Sequence, residues 1–152
     1  MSKKEEIIEE LKVIYNGSPW HAGSLTEILD GISAEQAAKR PIADAHSVWE
    51  VVSHITAWNC VWAERLGGRN ILEPPADFPG PGDGAEDWLA TLRDLERAHW
   101  GLIEKIGDLR DEDMPREFMN KGYTLAFCLE GIVRHIVYHS GQIGLLKKAF
   151  PA

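Results

Sequence analysis

Two histidines on one predicted helix are the first residues in the sequence that could share a chemical task. His135 and His139 are four residues apart in an apolar stretch, so on an α-helix both imidazoles lie on one face, one turn apart. Zinc peptidases use this spacing within H-E-x-x-H, where the glutamate acts as the base. Ile136 follows His135 here, which disfavours peptidase chemistry, and the spacing alone does not distinguish a metal site from two core histidines.

A third histidine, His54, lies in the middle of another predicted helix. It is one turn from Glu50 and Trp58, beside apolar positions, so it can face the same interior as the first pair. The alternative is three separate core histidines, each with its own hydrogen-bond partner. One shared ion explains them together, and we predict that His54, His135 and His139 bind a divalent metal. Three imidazoles suit zinc, nickel or iron, and no catalytic residue is assigned.

Apolar periodicity and capping signals predict the helices that position these histidines. Ser18 with Pro19 predicts the start of one short segment, and Ser47 with Glu50 has the pattern of a capping box at the start of a long helix. The predicted long helices cover roughly residues 3–16, 47–66, 85–106 and 124–149, and shorter segments cover residues 20–30 and 33–40.

A glycine- and proline-rich segment separates the second and third long helices. Residues 67–84 contain five glycines and four prolines, a composition that cannot form a helix. This segment is long enough to cross a bundle and join two parallel helices. The simplest architecture is an all-α four-helix bundle in up-down-down-up order, as a single domain over residues 1–152, although pattern alone also allows up-down-up-down.

Charge and hydropathy exclude several classes of partner. The formal net charge is -8, without a basic stripe, which opposes nucleic-acid binding, including that by a helix-turn-helix. No run approaches the roughly 18 apolar residues of a membrane span, and no signal peptide precedes the first helix, so we expect a cytoplasmic protein without a membrane partner. Cys60 and Cys128 lie in separate helices, which favours free thiols over a disulfide.

Three stretches of the sequence resemble the DinB-like (YfiT-like) family of metal-dependent proteins. They are Ser-Pro-Trp-His-Ala-Gly-Ser at residues 18–24, Ala-His-Ser-Val-Trp-Glu-Val-Val-Ser-His-Ile at residues 45–55 and His-Ile-Val-Tyr-His-Ser-Gly-Gln-Ile at residues 135–143. The resemblance covers nearly the whole chain. It implies an up-down-down-up bundle, often a homodimer, with a divalent ion on the residues that match His54, His135 and His139 here.

The resemblance also implies a class of reaction. Members of the family include S-transferases and isomerases that depend on a low-molecular-weight thiol. We therefore expect a metal-dependent transferase, S-transferase-like, or a hydrolase that acts on a small molecule. The alternative is a non-catalytic metal- or ligand-binding module whose ion stabilises the bundle.

Four further residues are candidates for the wall of a pocket. Trp58 is one turn from His54, and Gln142 follows His139 by three residues, so both could border the ion. His99 lies in the apolar seam of the third long helix, where we favour a core histidine and keep a pocket role as the alternative. His21 could reach the pocket mouth if the chain packs as the resemblance implies.

Overall fold

Six α-helices and one short 3-10 helix make up the fold in the computed structural model, which describes residues 1–151. No strand forms within these residues, so the predicted all-α class is confirmed; Glu117 and Thr124 make one isolated antiparallel bridge. A 3-10 helix, Asp111–Asp113, lies between the last two α-helices. The α-helices are α1 (Lys3–Asn16), α2 (Leu25–Leu29), α3 (Ala34–Ala38), α4 (Val48–Leu66), α5 (Gly84–Gly107) and α6 (Leu125–Lys148).

Side-chain caps define where the helices that carry the histidines begin. The Ser47 hydroxyl accepts a hydrogen bond from the Glu50 amide, and the Glu50 carboxylate accepts one from the Ser47 amide, which confirms the predicted capping box of α4. Thr124 accepts from the Phe127 amide at the start of α6. Each cap satisfies amides that a helix leaves without a partner, which typically contributes about 1 kcal/mol.

The short helix after α1 begins later than predicted. Ser18 does not cap it; α2 begins at Leu25, with Ser24 as its N-cap. The Ser24 hydroxyl accepts from the Glu27 amide, and the Glu27 carboxylate accepts from the Ser24 amide. Ser18 cannot form such a capping box, because the residue three positions after it is His21, which has no carboxylate to accept from the Ser18 amide. The prediction of a helix over residues 20–30 was therefore wrong in its first turn.

The glycine- and proline-rich crossover segment, residues 67–83, joins α4 to α5. Both helices start at the same end of the bundle. Trp49 near the start of α4 and Trp88 near the start of α5 have ring centroids 5.1 Å apart. His54 in the first half of α4 meets His139 in the second half of α6, with ring centroids 4.5 Å apart. Arg65 near the end of α4 lines the same cavity as Cys128 near the start of α6. α4 is therefore parallel to α5 and antiparallel to α6.

α1 packs against the other two long helices of the bundle. The Lys4 ammonium near its start donates to the Leu109 carbonyl, 2.8 Å away, just beyond the end of α5. Lys3 pairs with Glu130 near the start of α6, at 2.8 Å. α1 is thus antiparallel to α5 and runs in the same direction as α6, and these directions fit the predicted up-down-down-up order.

The core runs along the axis of the bundle and draws on all four long helices. Leu11, Ile55, Leu102 and Ile136, one from each, are completely buried. Burying such side chains contributes roughly 1.5 to 3 kcal/mol each and holds the helices in register. Within residues 1–151 no helix combines the length and apolar character that crossing a bilayer requires.

Candidate metal centre

The start of α4 is fixed by a buried carboxylate, and this fixes where His54 lies. Glu50 is 6% exposed and receives hydrogen bonds from the Arg40 guanidinium and from Ser47. Burial by itself would raise the pKa of Glu50, but the hydrogen bonds from Arg40, Ser47 and His46 outweigh it and lower the pKa to about 2. Glu50 is therefore ionised at neutral pH and anchors the first turn of α4, one turn before His54.

α6 presents the other two histidines on the flank of its buried stripe. Ile132, Ile136 and Ile143 are at most 2% exposed, and they place this face of α6 in the core. His135 and His139 lie beside that stripe, one turn apart, on the side that faces α4. His139 is 6% exposed, so this end of the pair is closed off from solvent.

The three imidazoles converge through the same ring nitrogen. His135 Nε2 lies 3.0 Å from His54 Nε2 and 3.1 Å from His139 Nε2. One ligand atom from each of the three residues lies within 4.8 Å of the others. Residues that are 81 positions apart in the sequence therefore form one compact cluster of nitrogen donors.

Hydrogen bonds on the far side of two rings determine which nitrogen faces the cluster. His54 Nδ1 lies 2.8 Å from the Asp77 carbonyl oxygen and 3.1 Å from its Oδ1, so Nδ1–H donates to Asp77. His139 Nδ1 lies 2.6 Å from Gln142 Oε1 and donates to it in the same way. Both acceptors place the proton on Nδ1, which leaves the lone pair of Nε2 directed into the cluster.

Burial and mutual proximity keep two of these imidazoles neutral. Desolvation, together with repulsion from the charged forms of His139 and His54, lowers the pKa of His135 to about 4, against the opposing charge of Asp77. Desolvation also lowers the pKa of His139, against the opposing hydrogen bond to Gln142. Neutral imidazole is the form that binds a metal ion, so His135 and His139 are in their ligand form at neutral pH.

The donor set and its spacing fit one divalent ion. Zinc binds histidine nitrogen at about 2.0 to 2.1 Å, and two such nitrogens at a tetrahedral angle are roughly 3.3 Å apart. The two short distances in the cluster, 3.0 and 3.1 Å, are close to that value. Three nitrogens without a thiolate or carboxylate suit zinc, nickel or iron. His54, His135 and His139 are the residues that would hold the ion.

Two residues at this site were not identified from the sequence. Asp77 and Phe78 lie in the glycine- and proline-rich crossover, between α4 and α5. Asp77 accepts from His54 and also, through Oδ1, from Trp58 Nε1 at 2.7 Å. The Phe78 ring is stacked between His54, at 4.0 Å, and His46, at 3.7 Å. The glycine and proline content of this segment predicts an irregular chain but not its path over the bundle. No sequence signal therefore predicted that these two residues lie at the histidines.

The four candidate pocket residues fall into two groups. Trp58 lines the cavity beside the cluster, and Gln142 hydrogen-bonds to His139 at its edge. His99 is completely buried elsewhere in the core: its ring is stacked on Tyr15 at 4.4 Å, and its Nε2–H donates to a carbonyl of α1. His21 is exposed and lines a separate groove between α1 and α6. The structure thus places His99 and His21 away from the cavity beside the three clustered histidines.

A cavity of about 620 Å³ opens directly beside the three histidines. It lies between the second half of α4, the first half of α6 and the chain that precedes α6. Trp58 and Trp62 of α4 face Cys128 and Ile132 of α6 across it. Its volume is within the range of pockets that bind small molecules.

The model of one protein family matches residues 20–143, described as the DinB superfamily. The chain belongs to the DinB superfamily. The matched region contains α2 to α5, most of α6 and all three histidines of the cluster. The family resemblance inferred from residues 18–24, 45–55 and 135–143 is therefore confirmed.

Comparison of this DinB-superfamily chain with curated proteins and with solved structures gives no match in either case. Family membership and the geometry of the cluster are thus the two observations from which function can be argued.

Proposed function

We propose that this DinB-superfamily protein binds one divalent metal ion on His54, His135 and His139 and acts as a metal-dependent transferase or hydrolase on a small molecule. One observation carries the proposal: three Nε2 atoms converge at the wall of a cavity large enough for a substrate. The favoured subtype is S-transfer from a low-molecular-weight thiol, and it rests on the family resemblance.

The arrangement fits a catalytic site better than a closed structural one. Structural zinc sites usually have four protein ligands, whereas catalytic sites have three and keep one position for water or substrate. When bound, such an ion acts as a Lewis acid and supplies a nucleophile near neutral pH by lowering the pKa of water or of a thiol. The cavity beside the cluster gives a small molecule access to that position.

The residues around the cluster have separate tasks in this proposal. Asp77 and Gln142 fix the orientation of two imidazoles, and Trp58 holds Asp77 in place through its indole N–H. Trp62 and Tyr138 line the cavity and offer apolar surface to the body of a substrate. In S-transfer the thiol sulfur would bond to an electrophilic carbon, while the leaving group departs with the bonding electrons and takes up the thiol proton.

Metal content is the measurement that tests the binding step. Protein purified without a metal-affinity column is analysed for its elements, as wild type and as His54→Ala, His135→Ala and His139→Ala. We expect close to one ion per chain in the wild type and a large loss in each variant. His21→Ala is the matched control, because His21 is exposed and lies outside the cluster, and it should retain the ion. An equal metal content in all five proteins would refute the shared site.

Turnover distinguishes the enzyme from the non-catalytic alternative. The metal-loaded protein is incubated with small thiols and aryl halide electrophiles, and thioether formation is followed by mass spectrometry. We expect activity in the loaded wild type and none after chelation or in His139→Ala. An ion that is bound, with an apo form that unfolds and no turnover of any substrate pair, would favour the stabilising module.

A further inference from the structure

The cavity has two chemically different ends. The histidine end carries Asp77, which is its one carboxylate and is already bonded to His54 and Trp58. The opposite end is lined by Cys128 together with two cations, Arg65 from α4 and Lys121 from the segment before α6. A ligand that spans the cavity therefore meets nitrogen donors at one end and positive charge at the other.

Aromatic rings make up most of the wall between these ends. They come from α4, from α6 and from the chain between α5 and α6, and several stand in pairs that stack or tilt against each other. Flat apolar surfaces of this kind favour ligands with a planar or aromatic body. The six rings are those of Trp58, Trp62, Phe118, Tyr123, Phe127 and Tyr138.

Arg65 is built into the cavity wall in a fixed orientation. Its Nε donates to the Ile71 carbonyl at 2.6 Å and its Nη2 to the Leu72 carbonyl. The guanidinium lies over the rings of Trp62, at 4.7 Å, and Trp58, at 5.7 Å. Both carbonyls are neutral, so these contacts leave the positive charge of Arg65 without a compensating carboxylate.

The pKa of the Cys128 thiol is affected by the positive charges at this end of the cavity. Burial raises the pKa of Cys128, while the positive charges of Arg65 and Lys121 act in the opposite direction and favour its anion. Two cations therefore reach the same point of the cavity from two different elements. Lys121 is exposed, which places it at the mouth, whereas Arg65 is 9% exposed and lies deeper.

The distance between the two ends follows from the geometry of α6. Cys128 and His135 are seven residues apart, so they lie on the same face, about 10 Å from each other along the helix axis. A substrate held at both ends needs roughly that separation between its reacting atom and its anionic group. An aromatic ring with a short chain on each side has this length.

We propose that the end of the cavity formed by Arg65, Lys121 and Cys128 is an anion subsite, and that the ligands of this pocket are small molecules with a planar apolar body and a carboxylate-like group. The proposal of an anion subsite rests only on the residues that line the cavity. Only the statement that the other end of the ligand reacts at the histidines rests on the function proposed above.

Binding of three matched probes tests the subsite in the full-length, metal-free protein. The probes are 4-phenylbutyrate, 4-phenylbutan-1-ol and 4-phenylbutylamine, which share an apolar body and differ in charge. Affinity is measured by calorimetry and by quenching of tryptophan fluorescence. We expect the carboxylate to bind about tenfold more tightly than the alcohol and the amine to bind most weakly, with a preference that shrinks as salt rises.

Variants of Lys121 test whether its positive charge produces the preference for the carboxylate probe. Lys121→Gln should reduce the advantage of the carboxylate several-fold, and Lys121→Glu should reverse the order of carboxylate and amine. Lys105→Gln, an exposed lysine on α5 outside the cavity, is the matched control and should leave the order unchanged. Equal binding of all three probes, or an unchanged preference in Lys121→Glu, would overturn the subsite.

The metal-free condition separates this inference from the proposed function. A carboxylate can also bind a metal ion directly, so a preference that appears only after zinc is added would contradict the subsite. A preference that is present without metal and persists in His135→Ala supports it, even if metal analysis finds no ion in any sample. The two proposals can therefore fail independently.

Discussion

The Nε2 atoms of His54 and His135 lie 3.0 Å apart at the contact between α4 and α6. His54 carries its proton on Nδ1, which donates to Asp77, so its Nε2 presents a lone pair to His135. The His135 Nε2 lies equally close to His139, whose proton is held by Gln142. Lone pairs gathered in this way are stabilised by a shared cation, and the packing of α4 on α6 is therefore linked to metal binding.

Metal binding should raise the stability of the bundle. Zinc at about one hundred times its dissociation constant should increase the free energy of unfolding by about 2.7 kcal/mol, because the ion binds the folded cluster and not separated histidines. Thermal denaturation followed by circular dichroism, with and without a chelator, measures the change. His135→Ala should show no response to zinc, and His21→Ala should respond like the wild type. A zinc response that persists in His135→Ala would contradict the linkage.

Gln142 should tune the affinity for the ion without binding it. Gln142→Leu removes the acceptor for His139 Nδ1–H, so the imidazole can rotate or change tautomer, and metal affinity should fall about 10- to 100-fold. Gln142→Glu is the matched control, because it keeps an acceptor oxygen and should retain affinity. Competition with a chromophoric chelator measures both. Equal losses in the two variants would show that the hydrogen bond accepted from His139 Nδ1–H does not determine the metal affinity.

The crossover segment should be held on the site by Phe78. Phe78→Ala removes the ring that stacks between His46 and His54, so the segment over residues 67–83 should open more often. Limited proteolysis should cut this segment several times faster than in the wild type. Leu72→Ala is the control, because Leu72 belongs to the same segment and is 62% exposed. Equal cleavage rates in the two variants would show that Phe78 is not the anchor.

Capping patterns predicted the helix starts best, since a cap is a contact between residues near in sequence. Ser47 with Glu50 placed the start of α4, and Thr124 placed that of α6. The pair Ser18 and Pro19 predicted a helix start that does not form, and the helix begins instead after the capping box at Ser24. Helix starts are thus readable from local sequence, most securely where both halves of a capping box are present.

The convergence of the three histidines could also be anticipated, because helix periodicity determines which side chains share a face. His135 and His139 had to lie together, and the apolar neighbours of His54 directed it inward. Periodicity does not tell where an irregular segment passes, so Asp77 and Phe78 were missed. Periodicity directs His99 inward as well; the sequence favoured a core role for it, and the structure stacks its ring on Tyr15, away from the cluster.

Glu50 should contribute stability through its ionised form. Glu50→Gln should lower the free energy of unfolding at neutral pH by about 1 to 2 kcal/mol, a value that allows for the half-exposed partner Arg40. The pKa of Glu50 is about 2 in the folded protein and ordinarily 4.5, so its stabilisation is present above about pH 4.5 and is lost as the pH falls towards 2.

Urea denaturation of wild type and Glu50→Gln at neutral and acid pH measures this contribution. The two proteins should differ in stability near pH 7 and converge as the pH approaches 2. Glu35→Gln is the control, because Glu35 is an exposed partner of Lys39, and its replacement should leave stability nearly unchanged. A difference between wild type and Glu50→Gln that is constant over this pH range would show that charge is not the cause.

His99 should make the bundle less stable in mild acid. Burial lowers the pKa of His99 to about 4, whereas an exposed histidine has a pKa of 6.5, so the unfolded chain takes up a proton that the folded protein excludes. The free energy of unfolding is therefore unaffected by the titration of His99 above about pH 6.5 and decreases as the pH falls towards 4. Between about pH 7 and pH 4.5 the loss should be about 2.5 kcal/mol.

His99→Gln isolates this effect from the titration of the clustered histidines. Glutamine does not titrate and can keep an N–H directed at the Leu11 carbonyl, where His99 Nε2–H donates at 3.0 Å. Urea denaturation of metal-free protein should show a steeper fall in stability with acid in the wild type than in His99→Gln, while His135 contributes equally to both. Parallel curves would mean that His99 takes up a proton as readily in the folded bundle as in the unfolded chain, which its stacking on Tyr15 in the closed core opposes.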